Sequence, residues 1–247
     1  MCVGHIMELL SLEQLTKSAS ALDNIPQVAE SGFRTEALIF VLELAVKVRV
    51  SQPIVSTAQL LVHRVLPIQF THSNSFRSVD RLRVAAACLF LSCKINEQIR
   101  SLATLTQAYF DIERAKRLCK NPQADLPTIT DLMRSRLRDD IITLESQVLR
   151  LIDFNFGQLE VPYPRLKTLI RALQLEPNTA NTLHTVAWNF ANDSFRCQAC
   201  LVFPMDEVAA GCVSLAAAYM GLRVQVEVRA ECVEMLTRVY EPALDRL

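Results

Sequence analysis

The chain has 247 residues, 51% of them hydrophobic, so it can fill one large core or two small ones. Its 26 basic and 26 acidic side chains cancel, which excludes a strong overall field that would draw the protein to nucleic acid or to an anionic membrane. Only five glycines and ten prolines interrupt the chain, and this composition favours helices over many short strands.

Five helices are predicted in the first half of the chain, after an N-terminal segment at 1–31. Apolar periodicity places them at about 34–48, 53–66, 80–95, 101–119 and 131–152. Ser51 and Pro53 are typical of a helix start, and Pro67 ends the second helix. The stretch 121–127 is predicted to be a loop because of its Pro and Asn residues.

A domain boundary is predicted at Pro162 and Pro164, because two prolines so close together break any helix. It separates a first domain at 32–157 from a second at 158–247. The second domain is predicted to contain helices near 165–174, 178–196, 204–221 and 228–245. No segment shows a strand pattern, so the predicted fold class is all-α.

An internal near-repeat supports two similar domains in tandem. Val84 to Leu91 reads Val-Ala-Ala-Ala-Cys-Leu-Phe-Leu, and Val208 to Leu215 reads Val-Ala-Ala-Gly-Cys-Val-Ser-Leu. The 124 residues between the two starts are too many for a solenoid repeat. Both copies are apolar on every side, so each is predicted to be the central buried helix of its domain.

Several functional classes find no support in the sequence. The first residues lack the basic and apolar regions of a secretory signal, and the uncharged run from Val208 to Leu222 is shorter than the roughly 20 residues of a membrane helix, so an intracellular chain is expected. Cys197 and Cys200 form a CxxC pair, but no second pair lies at zinc-ligand spacing, so no metal site is predicted. A phosphate-binding loop, HExxH and GxSxG are absent from the sequence, which leaves catalysis without a visible site.

Glu145 and Lys94 are the charged residues whose positions stand out. Glu145 lies one turn from Ile142 and one turn from Leu149, so its carboxylate falls within an apolar stripe of the predicted helix. It therefore needs a cation, hydrogen-bond donors or a position at the solvent-exposed edge of that stripe. Arg150 or a neighbouring helix could supply the partner. Lys94 ends the most apolar helix of the first domain, where a cation also complements the helix dipole by about 0.3–1 kcal/mol.

The polar run Asn192-Asp193-Ser194 interrupts a helix with an apolar face. It is predicted to be a C-terminal turn in which these short side chains bond to backbone groups.

Several blocks of the sequence resemble consecutive parts of a cyclin box. They run from Val50 to Arg64, from Val84 to Arg100 and from Leu144 to Phe156. In the second half, the run from Ala187 to Arg196 is similar to the corresponding helix of cyclins L, K and T. The segment from Glu13 to Ile25 is similar to the lead-in of cyclin L. The resemblance is therefore to the transcription and RNA-processing type of the cyclin family.

The resemblance implies two tandem five-helix cyclin boxes and a regulatory subunit, not an enzyme, that activates a cyclin-dependent serine/threonine kinase. The first box would pack against the mobile helix of the kinase and complete the lysine–glutamate pair that aligns the ATP phosphates. The family's kinase contacts carry over to Lys94, Ile95, Glu145, Leu149, Phe154 and Phe156. The implied setting is nuclear, in a heterodimer with the kinase and with room for a further assembly or substrate-recruiting subunit. No cofactor, direct nucleic-acid contact or membrane contact is implied.

The sequence departs from the family pattern in two places. Where cell-cycle cyclins carry a hydrophobic substrate-docking patch, this chain has Phe33, Arg34, Thr35, Glu36, Ala37 and Phe40. Because Glu36 stands where an apolar residue would, docking through this patch is not expected. The last predicted helix begins soon after Leu222, so the second box is expected to be shortened, with a connector at about 222–228 in place of a helix.

Two alternatives share the predicted fold. One is a basal transcription factor of the TFIIB type that binds promoter DNA, against which the zero net charge argues. The other is a helical scaffold with no kinase partner. A gel shift on duplex DNA would identify the first, and co-purification of a kinase would exclude the second.

Overall fold

Polar side chains at the helix starts explain where several helices begin. In the computed structural model, which describes residues 9–15, 17–65, 80–123, 125 and 127–241, Asp80 accepts hydrogen bonds from the amides of Leu82 and Arg83. Ser101, Thr130 and Glu176 cap three further helices in the same way. Each cap satisfies amides that have no partner inside the helix.

Twelve α-helices lie within the described residues, and no strand does, so the all-α prediction is confirmed. Their bounds are α1 Leu12–Leu15, α2 Ala19–Leu22, α3 Gln27–Val48, α4 Gln52–Val65, α5 Arg81–Ile95, α6 Leu102–Lys120, α7 Asp131–Leu151, α8 Tyr163–Ala172, α9 Pro177–Ser194, α10 Ala199–Val202, α11 Met205–Tyr219 and α12 Ala230–Thr237. A 3-10 turn spans Phe156–Gln158.

The predicted helix bounds differ from these mainly at the start of α3 and at the end of α12. Helix α3 begins at Gln27, seven residues before the predicted start, because Glu30 and Arg34 form a buried ion pair one turn apart that replaces the expected apolar pattern. The four-residue helices α1, α2 and α10 were not predicted. The last helix was predicted at 228–245, but α12 ends at Thr237 and a turn follows at 238–240, so that prediction was wrong in its second half. Residues 66 and 67, at the predicted end of the second helix, and 242–245 lie outside the described residues.

The first compact unit contains Gln14–Leu159 and is built around α5. Every residue from Val84 to Cys93 is buried, and α3, α4 and α7 pack against this helix. The hydroxyl of Ser92 donates a hydrogen bond of 2.6 Å to the carbonyl of Ile54, which satisfies a polar group inside the core. The central helix predicted from the near-repeat is therefore present.

The second compact unit contains residues 160–241 together with 9–13, and its central helix is α11. Residues 208–213 are all buried, and α8, α9 and α12 pack around them. A Cβ atom on Gly211 would lie only 2.7 Å from Cδ1 of Leu236, so the missing side chain lets α12 approach α11 closely. Between Tyr219 and Ala230 there is no helix, in agreement with the predicted connector.

Asn192, Asp193 and Ser194 lie inside α9 and at its end, and two of the three contact side chains outside α9 instead of the local backbone. Tyr163 donates a hydrogen bond of 2.8 Å to Asn192, and Tyr240 donates one of 2.9 Å to Asp193. Only Ser194 bonds to a backbone carbonyl, that of Ala191. The prediction of a purely local turn was therefore wrong for the first two residues, because their tyrosine partners are distant in sequence.

Candidate functional site

Lys94 and Glu145 form an ion pair between the last turn of α5 and the middle of α7. The ammonium Nζ of Lys94 lies 2.7 Å from Oε1 and 2.9 Å from Oε2 of Glu145, so one cation serves both carboxylate oxygens. The same ammonium lies 4.3 Å from the centroid of the Phe90 ring, a distance suited to a cation–π contact. The partner of Glu145 is thus a neighbouring helix and not Arg150.

The two members of this pair differ in their access to water. The side chain of Glu145 is only 9% exposed, whereas that of Lys94 is 45% exposed. Glu145 belongs to the buried face of α7, with Leu137, Ile141 and Val148. The Glu145 carboxylate is therefore buried and holds the Lys94 ammonium in position, and the ammonium is the member of the pair that is accessible from solvent.

The apolar stripe of α7 contains Ile141 in the structure, whereas the sequence analysis had assigned Ile142 to it. Ile142, used to define that stripe, is 48% exposed, while its neighbour Ile141 is fully buried. Leu149 is half-buried against the core. Ile142 is therefore a surface residue one turn before Glu145, and the sequence analysis missed it as a candidate contact.

Of the four apolar residues expected at the kinase contact, two pack against the core and two are exposed. Ile95 and Leu149 are half-buried and pack against the core of the first unit. Phe154 and Phe156 follow α7 and are 59% and 42% exposed. Large aromatic side chains that lie in water are uncommon on a surface with no partner, and aromatics are enriched at protein interfaces.

The backbone that carries Phe154 is in an unusual conformation. Asp153 and Phe154 have φ angles of 50° and 54°, so two successive residues other than glycine lie in the left-handed region. The amide of Phe154 donates a hydrogen bond of 3.0 Å to the carbonyl of Leu149, which closes the end of α7. The local fold thus fixes where the Phe154 ring projects.

The loop after α5 is fixed by Arg100, a residue that the sequence analysis did not single out. Its guanidinium donates hydrogen bonds of 2.8 Å to the carbonyl of Val48 and of 2.6 Å to that of Arg49, which satisfy the end of α3. Ile99, beside it, is 73% exposed. The sequence did contain a sign that this isoleucine is exposed, because Ile99 lies between the polar residues Gln98 and Arg100.

The positions of the substrate-docking patch are occupied by internal contacts. Ala37 and Phe40 are fully buried, and Arg34 is buried in its pair with Glu30. Glu36 forms an ion pair of 2.5 Å with Arg81. The side chains of Arg34, Glu36, Ala37 and Phe40 are therefore engaged within the first unit. That substrates do not dock at this position stays a prediction.

Cys197 and Cys200 do not form a recognisable metal site. Burial raises the pKa of the Cys197 thiol to about 11, which disfavours the thiolate that binds metals. Among the described residues no three His, Cys, Asp or Glu side chains are arranged to hold a metal ion. Within the same residues no helix has both the length and the apolar character to cross a membrane.

Comparison with known proteins identifies related sequences and folds. A family model of the cyclin N-terminal domain matches residues 5–157. Cyclin-T1-4 of Arabidopsis thaliana is 29% identical over 83% of this chain and 36% of its own length. Cyclin-L1 of Homo sapiens is 26% identical over 85% of this chain and 38% of its own length. The chain therefore spans little more than a third of these relatives.

A solved structure has a similar fold. A chain from the crystal structure of the yeast RNA Pol II CTD kinase CTDK-1 complex superposes with a TM-score of 0.76 at 17% sequence identity, covering 96% of this chain and 74% of that one. Because the sequences are only 17% identical, this superposition shows a shared fold and nothing more.

Proposed function

This chain belongs to the cyclin family, and we propose that it is a regulatory subunit that binds and activates a cyclin-dependent serine/threonine kinase. In this proposal the chain contributes no catalytic group of its own, and phosphoryl transfer takes place on the kinase. The first unit, which contains most of the residues matched by the family model, supplies the kinase-binding surface.

The surface around Lys94 is the observation that carries the proposal. An ammonium held by a buried carboxylate lies at the end of α5, and two exposed phenylalanines follow α7, the helix that carries the carboxylate. Such a surface suits an amphipathic helix, whose apolar side chains would cover Phe154 and Phe156. A backbone carbonyl at one end of that helix would accept a hydrogen bond from Lys94.

In the proposed mechanism Lys94 contacts the kinase and Glu145 positions it. The ammonium of Lys94 lies against both carboxylate oxygens, but the side chain is still 45% exposed, so it can also donate a hydrogen bond to the partner. Because Glu145 is buried and Lys94 is half in water, the pair exists before binding, and little ordering is needed when the kinase helix arrives. The bound helix would then be held where its glutamate completes the ion pair that aligns the ATP phosphates.

The process served by the kinase is proposed from the relatives. They bear the T and L cyclin names, and the similar fold belongs to a CTD kinase complex. We therefore propose a nuclear role in RNA polymerase II transcription or pre-mRNA processing. A further assembly or substrate-recruiting subunit would complete the complex.

Reconstitution with purified kinases tests the proposal. The chain is mixed with catalytic subunits of transcription-type kinases, and phosphate transfer to a peptide of the polymerase tail repeat is measured. We expect no transfer by the chain alone and a gain in activity for at least one kinase. The Glu36→Ala variant, changed outside the proposed contact, should activate equally well. Phosphate transfer by the chain without any kinase, or failure of the whole panel to respond, would refute the proposal.

A further inference from the structure

The segment that joins α11 to α12 has the side-chain pattern of a β-strand within a helical unit. From 222 to 229 the side chains alternate between half-buried and exposed at every position. The half-buried members are Leu222, Val224, Val226 and Val228, and the exposed members are Arg223, Gln225, Glu227 and Arg229. A period of two indicates an extended chain that lies with one side on a surface.

The backbone of this segment is unpaired within the part of the chain that the structure describes. The amide of Leu222 bonds to the carbonyl of Ala217, and the amide of Arg229 bonds to Glu207. None of the peptide groups from 223 to 228 forms a hydrogen bond with another described residue. An extended chain with free N–H and C=O groups offers a template for a second strand.

The C-terminal end of the segment is held firmly. The guanidinium of Arg229 forms two bonds with Glu207, of 2.6 Å to Oε1 and 2.5 Å to Oε2, and lies 4.8 Å from the ring centroid of Phe203. These bonds keep the pKa of the Glu207 carboxyl below its ordinary value. A segment that is already extended and anchored loses little conformational entropy when a second strand pairs with it.

A groove of about 650 Å³ lies beside the segment and is lined by the segment itself, α8 and α11. Leu169, Leu173 and Ala210 contribute apolar surface. Three carboxylates border it, those of Asp206, Glu207 and Glu227. Asp206 is paired with Arg165 and Glu207 with Arg229, so of the three only Glu227 has no arginine or lysine partner among the described residues. The groove thus combines an apolar lining with one carboxylate, that of Glu227, that is available to a cationic side chain.

We propose that residues 222–229 form a docking strand for an extended peptide of a partner protein. The peptide backbone pairs with residues 223–228, apolar side chains at alternate positions enter the groove, and a Lys or Arg side chain pairs with Glu227. A second copy of this chain fits less well, because antiparallel pairing about Val226 would place Arg223 opposite Arg229. The proposal does not depend on kinase activation.

A matched pair of substitutions at Gln225 tests the backbone pairing in the full chain. Gln225→Pro removes one exposed N–H, and Gln225→Ala changes the same side chain but keeps the N–H. The probe is a fluorescein-labelled peptide of the sequence Lys-Val-Thr-Val-Lys-Val-Thr-Val, and its acidic counterpart has Glu in place of Lys. Binding is measured by fluorescence anisotropy at peptide concentrations up to about 1 mM, the range of weak peptide docking.

We expect the basic peptide to bind the wild-type chain and the Gln225→Ala variant equally. Binding to Gln225→Pro should be weaker by about fivefold, the effect of one lost hydrogen bond. The acidic peptide should bind more weakly than the basic one, and hydrogen exchange at 223–228 should slow in the complex. Absence of binding, equal binding to the Pro variant, preference for the acidic peptide, or dimerisation of the chain through this segment would each overturn the proposal.

Both Gln225 variants should still activate the kinase, since the segment lies outside the first unit. A loss of peptide binding with kinase activation intact therefore tests the docking strand by itself.

Discussion

At the scale of single residues, the unequal burial of Lys94 and Glu145 changes what each substitution should do. Removal of Lys94 leaves a buried carboxylate without its cation, whereas neutralisation of Glu145 leaves an ammonium that water can solvate. The sequence analysis assigned both charges to the same partner surface. In our proposal only the exposed Lys94 contacts the partner, and the buried Glu145 holds Lys94 in place.

We predict that Lys94→Met lowers the free energy of unfolding by about 1–2 kcal/mol, because a buried acceptor loses its donor and water reaches it only partly. Kinase affinity should fall about 30-fold or more, corresponding to about 2 kcal/mol. Urea denaturation and titration of the kinase measure the two quantities. Lys116→Met is a matched control outside the proposed contact, since Lys116 also pairs with a glutamate, Glu43, and lies over a phenylalanine ring. Equal kinase affinity of the two variants would contradict the assigned contact.

A second prediction concerns Glu145→Gln. Its stability should change by less than about 1 kcal/mol, because the amide still accepts a hydrogen bond and Lys94 remains half in water. If Glu145 acts through Lys94, the double variant should bind the kinase no more weakly than Lys94→Met alone. Additive losses in this double-mutant cycle would show that Glu145 contacts the kinase itself.

At the scale of helices, most elements could be predicted from the sequence, because apolar periodicity and caps are local properties. Asp80, Ser101 and Thr130 cap α5, α6 and α7 within a residue or two of the predicted starts. The misplaced start of α3 and the tyrosine bonds of Asn192 and Asp193 have a different origin. These features depend on pairs of polar side chains, which the periodicity of apolar residues does not reveal. The tyrosine partners are also distant in sequence.

The candidate kinase contact around Lys94 and Glu145 could also be predicted only in part from the sequence. Its charged residues stood out by position, but periodicity alone could not distinguish Ile141, at the centre of the buried stripe, from exposed Ile142 beside it. The roles of Phe154 and Phe156 came from the family resemblance, since exposure is a property of the folded chain.

The packing of α11 on α12 leads to a prediction about Gly211. Gly211→Ala should change stability by less than about 1 kcal/mol, because the gain in helix propensity offsets a small shift of the Leu236 side chain. Gly211→Val should cost about 1–3 kcal/mol through overpacking. Gly32→Ala in α3 is the control, because no atom lies within 4 Å of its added Cβ and stability should rise by about 0.5–1 kcal/mol. Urea denaturation of the three variants measures these changes. If Gly211→Val were as stable as wild type, the close approach of the two helices would be incorrect.

At the scale of the whole molecule, the chain has two helical units, each with a central helix that the near-repeat identified. The second unit differs from the first where Gly211 replaces the bulk of Ala87 and where an extended connector precedes a helix of only eight residues. The two units thus share a central buried helix, and the last described helix of the second unit has only eight residues.

The balance of charge over the chain predicts its behaviour toward nucleic acid. We expect no shift of duplex DNA at physiological salt, because 26 basic and 26 acidic side chains leave no net attraction for phosphates. An electrophoretic gel shift with the preparation that activates the kinase is the measurement. A complex that weakens steeply as salt is raised would instead favour the DNA-binding transcription factor.

The left-handed backbone at Phe154 implies a conflict between folding and function at one position. A bulky residue in this region costs of order 1 kcal/mol, and glycine would relieve the cost. Stability alone would therefore favour glycine at this position, and the proposed kinase contact gives a reason for a phenylalanine there instead. Phe154→Gly should melt at the same or a higher temperature than wild type and yet bind the kinase less well, a combination that loss of folding cannot produce.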